Sequence, residues 1–237
     1  MGKTRTIGIV IADEMEYKPF CRSMKEYLVE DFFFYGKPCQ KYIISDKDRS
    51  VTVLSVLSGI GKVNAATVGA FLADKCDIIM NFGLCGGIAK IPPLSIFLAE
   101  SFIEHDFDLS ALGRKKAEKP NGDYITFSDS NLNEIIKSIV PVTSGRIASG
   151  DYFVCDKKTC AFLSDELLSV ACDMEAAAVA YAAKLAGKRF VCFKKVSDSS
   201  DDASACKEYN DLNETKDVQL SEIAKRFILT YLTSCEF

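Results

Sequence analysis

The chain of 237 residues is predicted to form an α/β domain in three layers, with a central mixed, mostly parallel sheet flanked by helices. Short apolar runs rich in β-branched residues alternate with helical patterns along the whole sequence. The clearest helix lies near the C-terminus, where apolar residues recur at a spacing of 3.6 residues. We find no linker, internal repeat or low-complexity tract, so residues 1–237 are expected to form a single domain.

The first half of the chain is predicted to supply five strands and two helices. Residues 6–12 are a β-branched apolar run, which is typical of a buried parallel strand. Asp13 can cap the helix that follows, through about residue 27, with Pro19 bending or interrupting its early part. The remaining elements of this half are strands over 31–35, 41–45, 51–57 and 78–82, a helix over 63–72 and a tight turn at Gly86 and Gly87.

The second half is predicted to continue the same alternation. An alanine-rich helix is expected over 174–185, where the small side chains permit close packing. A charged segment over 114–120 reads as a solvated loop. The other elements are strands over 94–103, 145–149, 167–172 and 189–196 and helices over 131–140 and 220–232.

Charge and composition argue against several classes of function. The 29 basic and 33 acidic side chains leave a net charge of -4, so no electrostatic case exists for nucleic acid or an anionic membrane. No apolar stretch reaches the length of a membrane span and no secretory signal opens the chain, so we expect a cytoplasmic protein. The ten cysteines form no C-x-x-C pair and His105 is the single histidine, so we expect reduced thiols and neither a metal nor a cofactor.

Acidic residues stand where predicted strands meet helices. Glu16 follows the first strand, Glu175 opens the alanine-rich helix and Asp198 closes an apolar strand. Taken singly, each acid has a structural explanation, because Asp13 with Glu16 resembles a capping box and Asp173 can cap the alanine-rich helix. The carboxyl ends of parallel strands share one edge of a sheet, however, so the acids are expected to meet there. Without a metal-ligand cluster, such a set indicates proton transfer or stabilisation of a cation.

A glycine-rich turn, SGIGK over residues 58–62, invites comparison with a phosphate-binding loop. It lacks the G-x-x-x-x-G-K-[ST] spacing, and Val63 stands where a Mg²⁺-binding hydroxyl would be needed. It also lacks the three-glycine dinucleotide fingerprint. The turn therefore argues against a nucleotide triphosphatase or a Rossmann dehydrogenase.

Seven segments, in order and covering nearly the full chain, carry a resemblance to a known family. They are IGI through Glu16 (7–16), SGIGKVNAA (58–66), NFGLCGG (81–87), HDFD (105–108), SGDYF (149–153), DMEA (173–176) and VSD (196–198). On these segments the chain resembles the 5′-methylthioadenosine/S-adenosylhomocysteine nucleosidases of the nucleoside phosphorylase/nucleosidase superfamily. The resemblance implies a nucleoside phosphorylase-like fold and hydrolysis of the N-glycosidic bond of 5′-methylthioadenosine and/or S-adenosylhomocysteine, with release of adenine.

The resemblance also implies a role for each matched residue. Glu16 corresponds to the base that activates water, and Asp198 to the acid that protonates the purine. Glu175, beside Met174, corresponds to the residue that binds the ribose hydroxyls. Such acids suit an oxocarbenium-like sugar and a leaving group that departs neutral. The other implied substrate contacts are Phe153, which stacks on the purine, Val154, whose backbone reads it, Ser197, which supports Asp198, and Gly86.

Three positions depart from the family pattern. Leu84 stands where these nucleosidases usually place a serine beside the attacking water, and Lys194 stands where an arginine is usual. Lysine keeps the charge but loses the planar fork of donors. Asp13 stands where the family has an apolar residue, at a position that the resemblance implies to be near the adenine site. The family's closing lid has a candidate in Tyr209, and the resemblance implies a homodimer in which residues 109–113 wall the partner's alkylthio pocket.

Two alternatives share the scaffold. A purine nucleoside phosphorylase cleaves the same bond but needs an arginine-rich phosphate pocket, because phosphate favours bidentate guanidinium. At the position where bacterial phosphorylases carry such an arginine this chain has Asn81, and Leu84 again replaces a serine. A non-catalytic nucleoside-binding relative is the second alternative, although it has little need for Glu16, Glu175 and Asp198 together.

Overall fold

The computed structural model describes residues 3–88, 91–120, 122, 124–200 and 217–234. Its strands are β1 (Lys3–Ile11), β2 (Leu28–Phe34), β3 (Lys37–Asp46), β4 (Arg49–Leu57), β5 (Ile78–Gly87), β6 (Ile96–Glu104), β7 (Ile125–Phe127), β8 (Thr143–Ser149), β9 (Ala171–Asp173) and β10 (Arg189–Ser199). Its α-helices are α1 (Glu14–Ser23), α2 (Lys62–Lys75), α3 (Ser130–Ile139), α4 (Lys157–Ala161), α5 (Ala176–Leu185) and α6 (Asp217–Thr233). None of these described helices is long and apolar enough to cross a membrane.

All ten strands belong to one mixed sheet, in the order β10-β6-β8-β9-β5-β1-β4-β3-β2, with β7 added to β6. Strand β10 also pairs with β5, so β5, β9, β8, β6 and β10 form a closed ring from which β1 to β4 extend. Strand β5 is parallel to β1 on one side and to β10 on the other. The carboxyl ends of these three strands therefore lie at one edge of the sheet, where open α/β sheets bind ligands.

Helices cover both faces of the sheet and form the two largest of three apolar clusters in the described residues. One core packs Phe20 of α1, Leu132 of α3 and Phe227 of α6 against the sheet, and all three side chains are fully buried. The other core contains Val68 of α2 and Val179 of α5. The predicted arrangement of a mixed sheet flanked by helices is confirmed.

The expectation of a tight turn at Gly86 and Gly87 is wrong. Both glycines lie inside β5, where Gly86 pairs with Cys172 on one side and Asp198 on the other. A Cβ atom at Gly86 would lie 1.9 Å from Ser200 Oγ. Glycine is needed there because three strands approach one another closely, not because the chain turns.

The helix predicted to follow Asp13 is confirmed at its start. Asp13 is the N-cap, and its Oδ1 accepts a hydrogen bond of 2.8 Å from the Met15 amide. Pro19 lies inside α1 without interrupting it. The helix ends at Ser23, however, and residues 25–27 form a separate 3₁₀ turn.

Other element boundaries also differ from prediction, and three of them bear on the site. The strand expected over 167–172 is limited to Ala171–Asp173, because a π-helical turn precedes it at Phe162–Glu166. The alanine-rich helix begins at Ala176 rather than at residue 174. Strand β10 continues to Ser199, so Ser197 and Asp198 lie within the strand. The short elements β7 and α4 were not predicted.

Candidate active site

An open cavity of about 620 Å³ lies at the carboxyl ends of β1, β5 and β10. Nine of the ten residues predicted for the site line it: Glu16, Leu84, Gly86, Phe153, Val154, Met174, Glu175, Ser197 and Asp198. The tenth, Lys194, does not.

Glu16 reaches the cavity from the first turn of α1. Its Oε1 accepts a hydrogen bond of 2.8 Å from the Leu84 amide, and its buried Oε2 has no hydrogen-bond partner in the described part of the chain. The capping-box explanation therefore fails for Glu16, since its carboxylate is directed at β5. The carboxylate also needs Gly83, where a Cβ atom would lie 2.7 Å from Oε1.

The pKa of Glu16 is raised from 4.5 to about 8. Burial is the largest cause, because removing a carboxylate from water disfavours its charged form. The Lys194 ammonium and the Leu84 amide oppose the rise, while Glu175 and Asp13 add to it. Glu16 thus titrates close to neutral pH, where a general base is useful.

Glu175 immediately precedes α5 and is joined to the glycine-rich turn. Its Oε1 accepts a hydrogen bond of 2.9 Å from the Gly61 amide, at the start of α2. Burial, followed by the nearby Asp173 carboxylate, raises the pKa of Glu175 to about 7. The turn itself is held from β3, where Lys37 Nζ donates to the Ser58 carbonyl and, at 2.9 Å, to Asn64 Oδ1.

Asp198 is almost completely buried at the end of β10, with 1% of its surface exposed. Two serines flank its carboxyl group: Ser197 Oγ contacts Oδ1, and Ser200 Oγ lies 3.3 Å from Oδ2. Ser197 Oγ also lies 3.1 Å from the Cys85 carbonyl oxygen. Because a carbonyl oxygen can only accept, Ser197 has one hydrogen for two acceptors unless Asp198 carries a proton.

Lys194, which stands where the family usually has an arginine, was expected to bind substrate, but it does not line the cavity. Its buried ammonium lies 2.8 Å from Asp173 Oδ2, and Asp173 also accepts hydrogen bonds from Ser149 Oγ (2.5 Å) and the Ala176 amide (3.0 Å). Burial by itself would lower the pKa of Lys194, but Asp173 and the neighbouring acids raise it well above its ordinary value. Lys194 therefore lies outside the cavity wall and influences the cavity through its charge.

The segment after β8 closes another side of the cavity. Phe153 is partly exposed, with 39% of its surface accessible, and Val154 is buried. Asp151 braces this segment, since its Oδ1 accepts a 2.7 Å hydrogen bond from the Lys62 amide and its own amide donates to Asp106 Oδ2 at 2.9 Å. The loop that carries the aromatic side chain is thus tied to the start of α2.

Eight further residues line the cavity for which the sequence predicted no catalytic role or direct contact with substrate, although Asp13 was expected near the adenine. These residues are Ala12, Asp13, Ile60, Cys85, Tyr152, Cys172, Asp173 and Ser200. Ile60 and Tyr152 fall inside segments that carried the resemblance, and Asp173 was assigned only a capping role. Cys172 and Ser200 had no signal, because pairing between β5, β9 and β10 brings them there. Tyr209, the candidate lid residue, lies outside the described residues.

The charged side chains that line the cavity, among the described residues, are all acidic. Asp13, Glu16, Asp173, Glu175 and Asp198 contribute carboxyl groups, whereas no lysine or arginine of the described chain lines it. No grouping of three or more His, Cys, Asp or Glu in this part of the chain could hold a metal ion.

Comparison with known proteins agrees with the geometry. The family model of the phosphorylase superfamily matches residues 6–233. A 5′-methylthioadenosine/S-adenosylhomocysteine nucleosidase of Geobacillus kaustophilus is 32% identical over 184 residues, covering 70% of this chain and 77% of that protein. An aminodeoxyfutalosine nucleosidase of Helicobacter pylori is 28% identical over 63% of this chain and 69% of that protein.

A solved structure extends the similarity to nearly the whole chain. The Neisseria meningitidis 5′-methylthioadenosine/S-adenosylhomocysteine nucleosidase, in complex with methylthio-immucillin-A, superposes with a TM-score of 0.84. It is 26% identical, and the match covers 94% of this chain and 98% of that one. The chain therefore belongs to the phosphorylase superfamily and, within it, to the family of the 5′-methylthioadenosine/S-adenosylhomocysteine nucleosidases, which are N-glycosyl hydrolases.

Proposed function

We propose that the protein hydrolyses the N-glycosidic bond of 5′-methylthioadenosine and/or S-adenosylhomocysteine and releases adenine. Glu16 activates the water, Asp198 protonates the purine and Glu175 binds the ribose hydroxyls. The observation that carries the proposal is that these three carboxyl groups, from α1, β10 and the start of α5, line one cavity. The names of the relatives point to the same substrates.

The role of Glu16 as general base is supported by the hydrogen-bonding of its two carboxylate oxygens. One carboxylate oxygen is fixed by the Leu84 amide, and the other is buried in the cavity wall without a partner among the described residues. A water molecule there would satisfy Oε2 and could donate its proton to it as the oxygen attacks the sugar. Leu84 supplies only its backbone to this arrangement, so no serine hydroxyl is required to position the carboxylate.

The acid side is supported by the hydrogen-bond balance around Asp198. If Ser197 donates to the Cys85 carbonyl, its oxygen is left as an acceptor for Asp198 Oδ1. A protonated Asp198 can donate to that oxygen in the resting site. When a purine nitrogen takes this proton as the glycosidic bond breaks, the Ser197 hydroxyl can turn from the Cys85 carbonyl and donate to the carboxylate that is left. The leaving base then departs neutral, which lowers the barrier to cleavage.

Phosphorolysis is disfavoured by the charge of the cavity. Phosphate binding calls for guanidinium or ammonium groups, yet the charged residues of the described wall are all acids. Asn81, at the position where bacterial phosphorylases carry an arginine, is buried and donates to the Val10 carbonyl at 2.9 Å. Lys194, whose charge acts on Glu16, is already paired with Asp173. Water is therefore the better nucleophile for this site.

We expect adenine release from 5′-methylthioadenosine to be independent of phosphate. The measurement is adenine formation by chromatography, in phosphate-free buffer and again with added phosphate, together with identification of the sugar product. Free methylthioribose in both buffers supports hydrolysis. A phosphorylated sugar formed only with phosphate would establish the phosphorylase, and tight binding without turnover would leave the nucleoside binder.

We also infer a homodimer in which residues 109–113 help to wall the partner's alkylthio pocket. The 3₁₀ turn Ser110–Leu112 carries an apolar side chain, Leu112, that is 76% exposed. A partner subunit would remove this leucine from water, which is favourable by the hydrophobic effect. Sedimentation velocity at micromolar concentration is expected to give a dimer, and a monomer there would contradict the inference.

A further inference from the structure

Asp13 places a carboxylate in the cavity that neither acid–base chemistry nor ribose binding uses. One of its oxygens, Oδ1, caps α1 by accepting from the Met15 amide. No described lysine or arginine forms an ion pair with Asp13, although its side chain is only half-buried and lines the cavity. Its second oxygen can therefore serve a ligand without breaking the cap.

With the purine at Asp198, the topology places Asp13 at the opposite end of the cavity, whereas the sequence comparison predicted it near the adenine. Asp198 lies on β10, which pairs with one side of β5. Asp13 follows β1, which pairs with the other side of β5, and Ile60 lies beyond it in the turn after β4. With the purine at Asp198 and the ribose at Glu175, the substituent on the far side of the sugar is the one on the 5′ carbon.

The balance of charge indicates what kind of substituent this end accepts. Asp13 is close enough to Glu16 to raise the pKa of Glu16. An unopposed negative charge at Asp13 therefore destabilises the ionised form of Glu16, the proposed base. Glu16 Oε2 is also buried in the same wall, with no partner among the described residues. A cation bound at Asp13 would relieve the repulsion, whereas an apolar thioether would leave it in place.

We propose that Asp13 is a specificity-determining residue that favours purine nucleosides whose 5′ substituent carries a protonated amine. The inference rests on the proposed function, since it assumes that a nucleoside occupies the cavity with its purine at Asp198. It divides the substrates of that function and favours adenine nucleosides with a cationic, hydrogen-bond-donating 5′ group, which S-adenosylhomocysteine carries as its amino group and 5′-methylthioadenosine lacks. Asp13 binds the ammonium through its second oxygen while the first keeps the helix cap.

The test compares 5′-amino-5′-deoxyadenosine with 5′-methylthioadenosine at neutral pH. Both kcat/KM and Kd are measured for the wild-type protein and for Asp13→Asn, which keeps a good N-cap but removes the charge. The ratio of kcat/KM for the amine over the thioether is expected to fall by about tenfold in Asp13→Asn, the size of one charge-assisted hydrogen bond. Asp13→Asn also removes the repulsion on Glu16, which favours the thioether in kcat/KM. The ratio of the two Kd values is therefore compared as well, because binding does not depend on proton transfer to Glu16.

Glu14→Gln is the matched control. Glu14 is the next residue of the same helical turn, is 63% exposed, pairs with Lys18 and does not line the cavity. Its loss is expected to leave the ratio unchanged, and Asp13→Ser provides a second capping variant if the asparagine fails to fold. An unchanged ratio in both Asp13 variants, or an equal fall in Glu14→Gln, would overturn the inference.

Failure of the proposed function gives a different result. If the wild-type protein releases adenine from neither nucleoside, hydrolysis is refuted, and the ratio of the two Kd values then decides the role of Asp13. If 5′-methylthioadenosine is hydrolysed and the ratio does not respond to Asp13→Asn, the function stands and the specificity inference is wrong.

Discussion

Asp198→Asn is expected to lower kcat for adenine release by roughly 10²–10⁴-fold, the usual contribution of a general acid. The amide has nearly the same shape as the carboxyl group, so the contacts with Ser197 and Ser200 can be kept and the fold should remain intact. It cannot give up a proton to the purine. Rates of adenine formation, nucleoside Kd and thermal unfolding should be measured together, and we expect only the rate to change greatly.

A change of leaving group separates the loss of an acid from a general disturbance of the site. An N7-methylated purine nucleoside carries a positive charge and departs as a neutral base without protonation. Asp198→Asn should therefore recover much of the wild-type rate on that substrate. Asp156→Asn is the control, because Asp156 caps α4 and does not line the cavity. An equal deficit on both nucleosides would remove Asp198 from the role of proton donor.

Glu16→Gln is expected to cause a loss of similar size, because the amide cannot accept the proton of the attacking water. In the wild-type protein, kcat/KM should rise with pH between about 7 and about 8, since Glu175 and Glu16 act as anions and titrate there. In Glu16→Gln, the residual kcat/KM should no longer show the part of this rise that is due to Glu16, near pH 8. A variant with the wild-type pH profile would show that another group is the base.

The same substitution is expected to stabilise the fold at alkaline pH. The pKa of Glu16 is about 8 in the folded protein, against 4.5 for an unperturbed glutamate, so the folded state keeps a proton that the unfolded state loses between these values. The contribution of Glu16 to wild-type stability therefore falls as pH rises from about 4.5 to about 8, by at most ~5 kcal/mol. The difference in Tm between Glu16→Gln and wild type should be close to zero below pH 4.5 and largest above about pH 8. A difference independent of pH would contradict this linkage.

The fold could be predicted from local sequence because its central strands are buried on both faces. Residues 6–12 and 78–82 are continuous apolar runs, a pattern that few structures other than a buried parallel strand can use. The candidate acids could be predicted for a related reason. They stand just after or at the end of such runs, and parallel strands bring their carboxyl ends to one edge.

What could not be predicted depends on contacts between distant segments. Gly86 and Gly87 have the composition of a turn, and only the pairing of β5 with β9 and β10 explains why side chains are excluded there. Lys194 was expected in the site because it stands where the family usually has an arginine. Its ammonium group instead pairs with Asp173, which comes from another strand and is fixed by a third. No local pattern contains that information.

Strand β5 sets the spacing between the places where the Glu16 and Asp198 carboxyl groups meet the sheet. Glycine leaves room for the Glu16 carboxylate at Gly83 and for Asp198 at Gly86, and these positions are three residues apart, or about 10 Å at the rise of an extended strand. The two glycines therefore receive the two carboxyl groups at different points along β5. Because this spacing is set by the backbone of one strand, substitution of surrounding side chains can change the environment of either carboxyl group without moving the two glycines relative to each other.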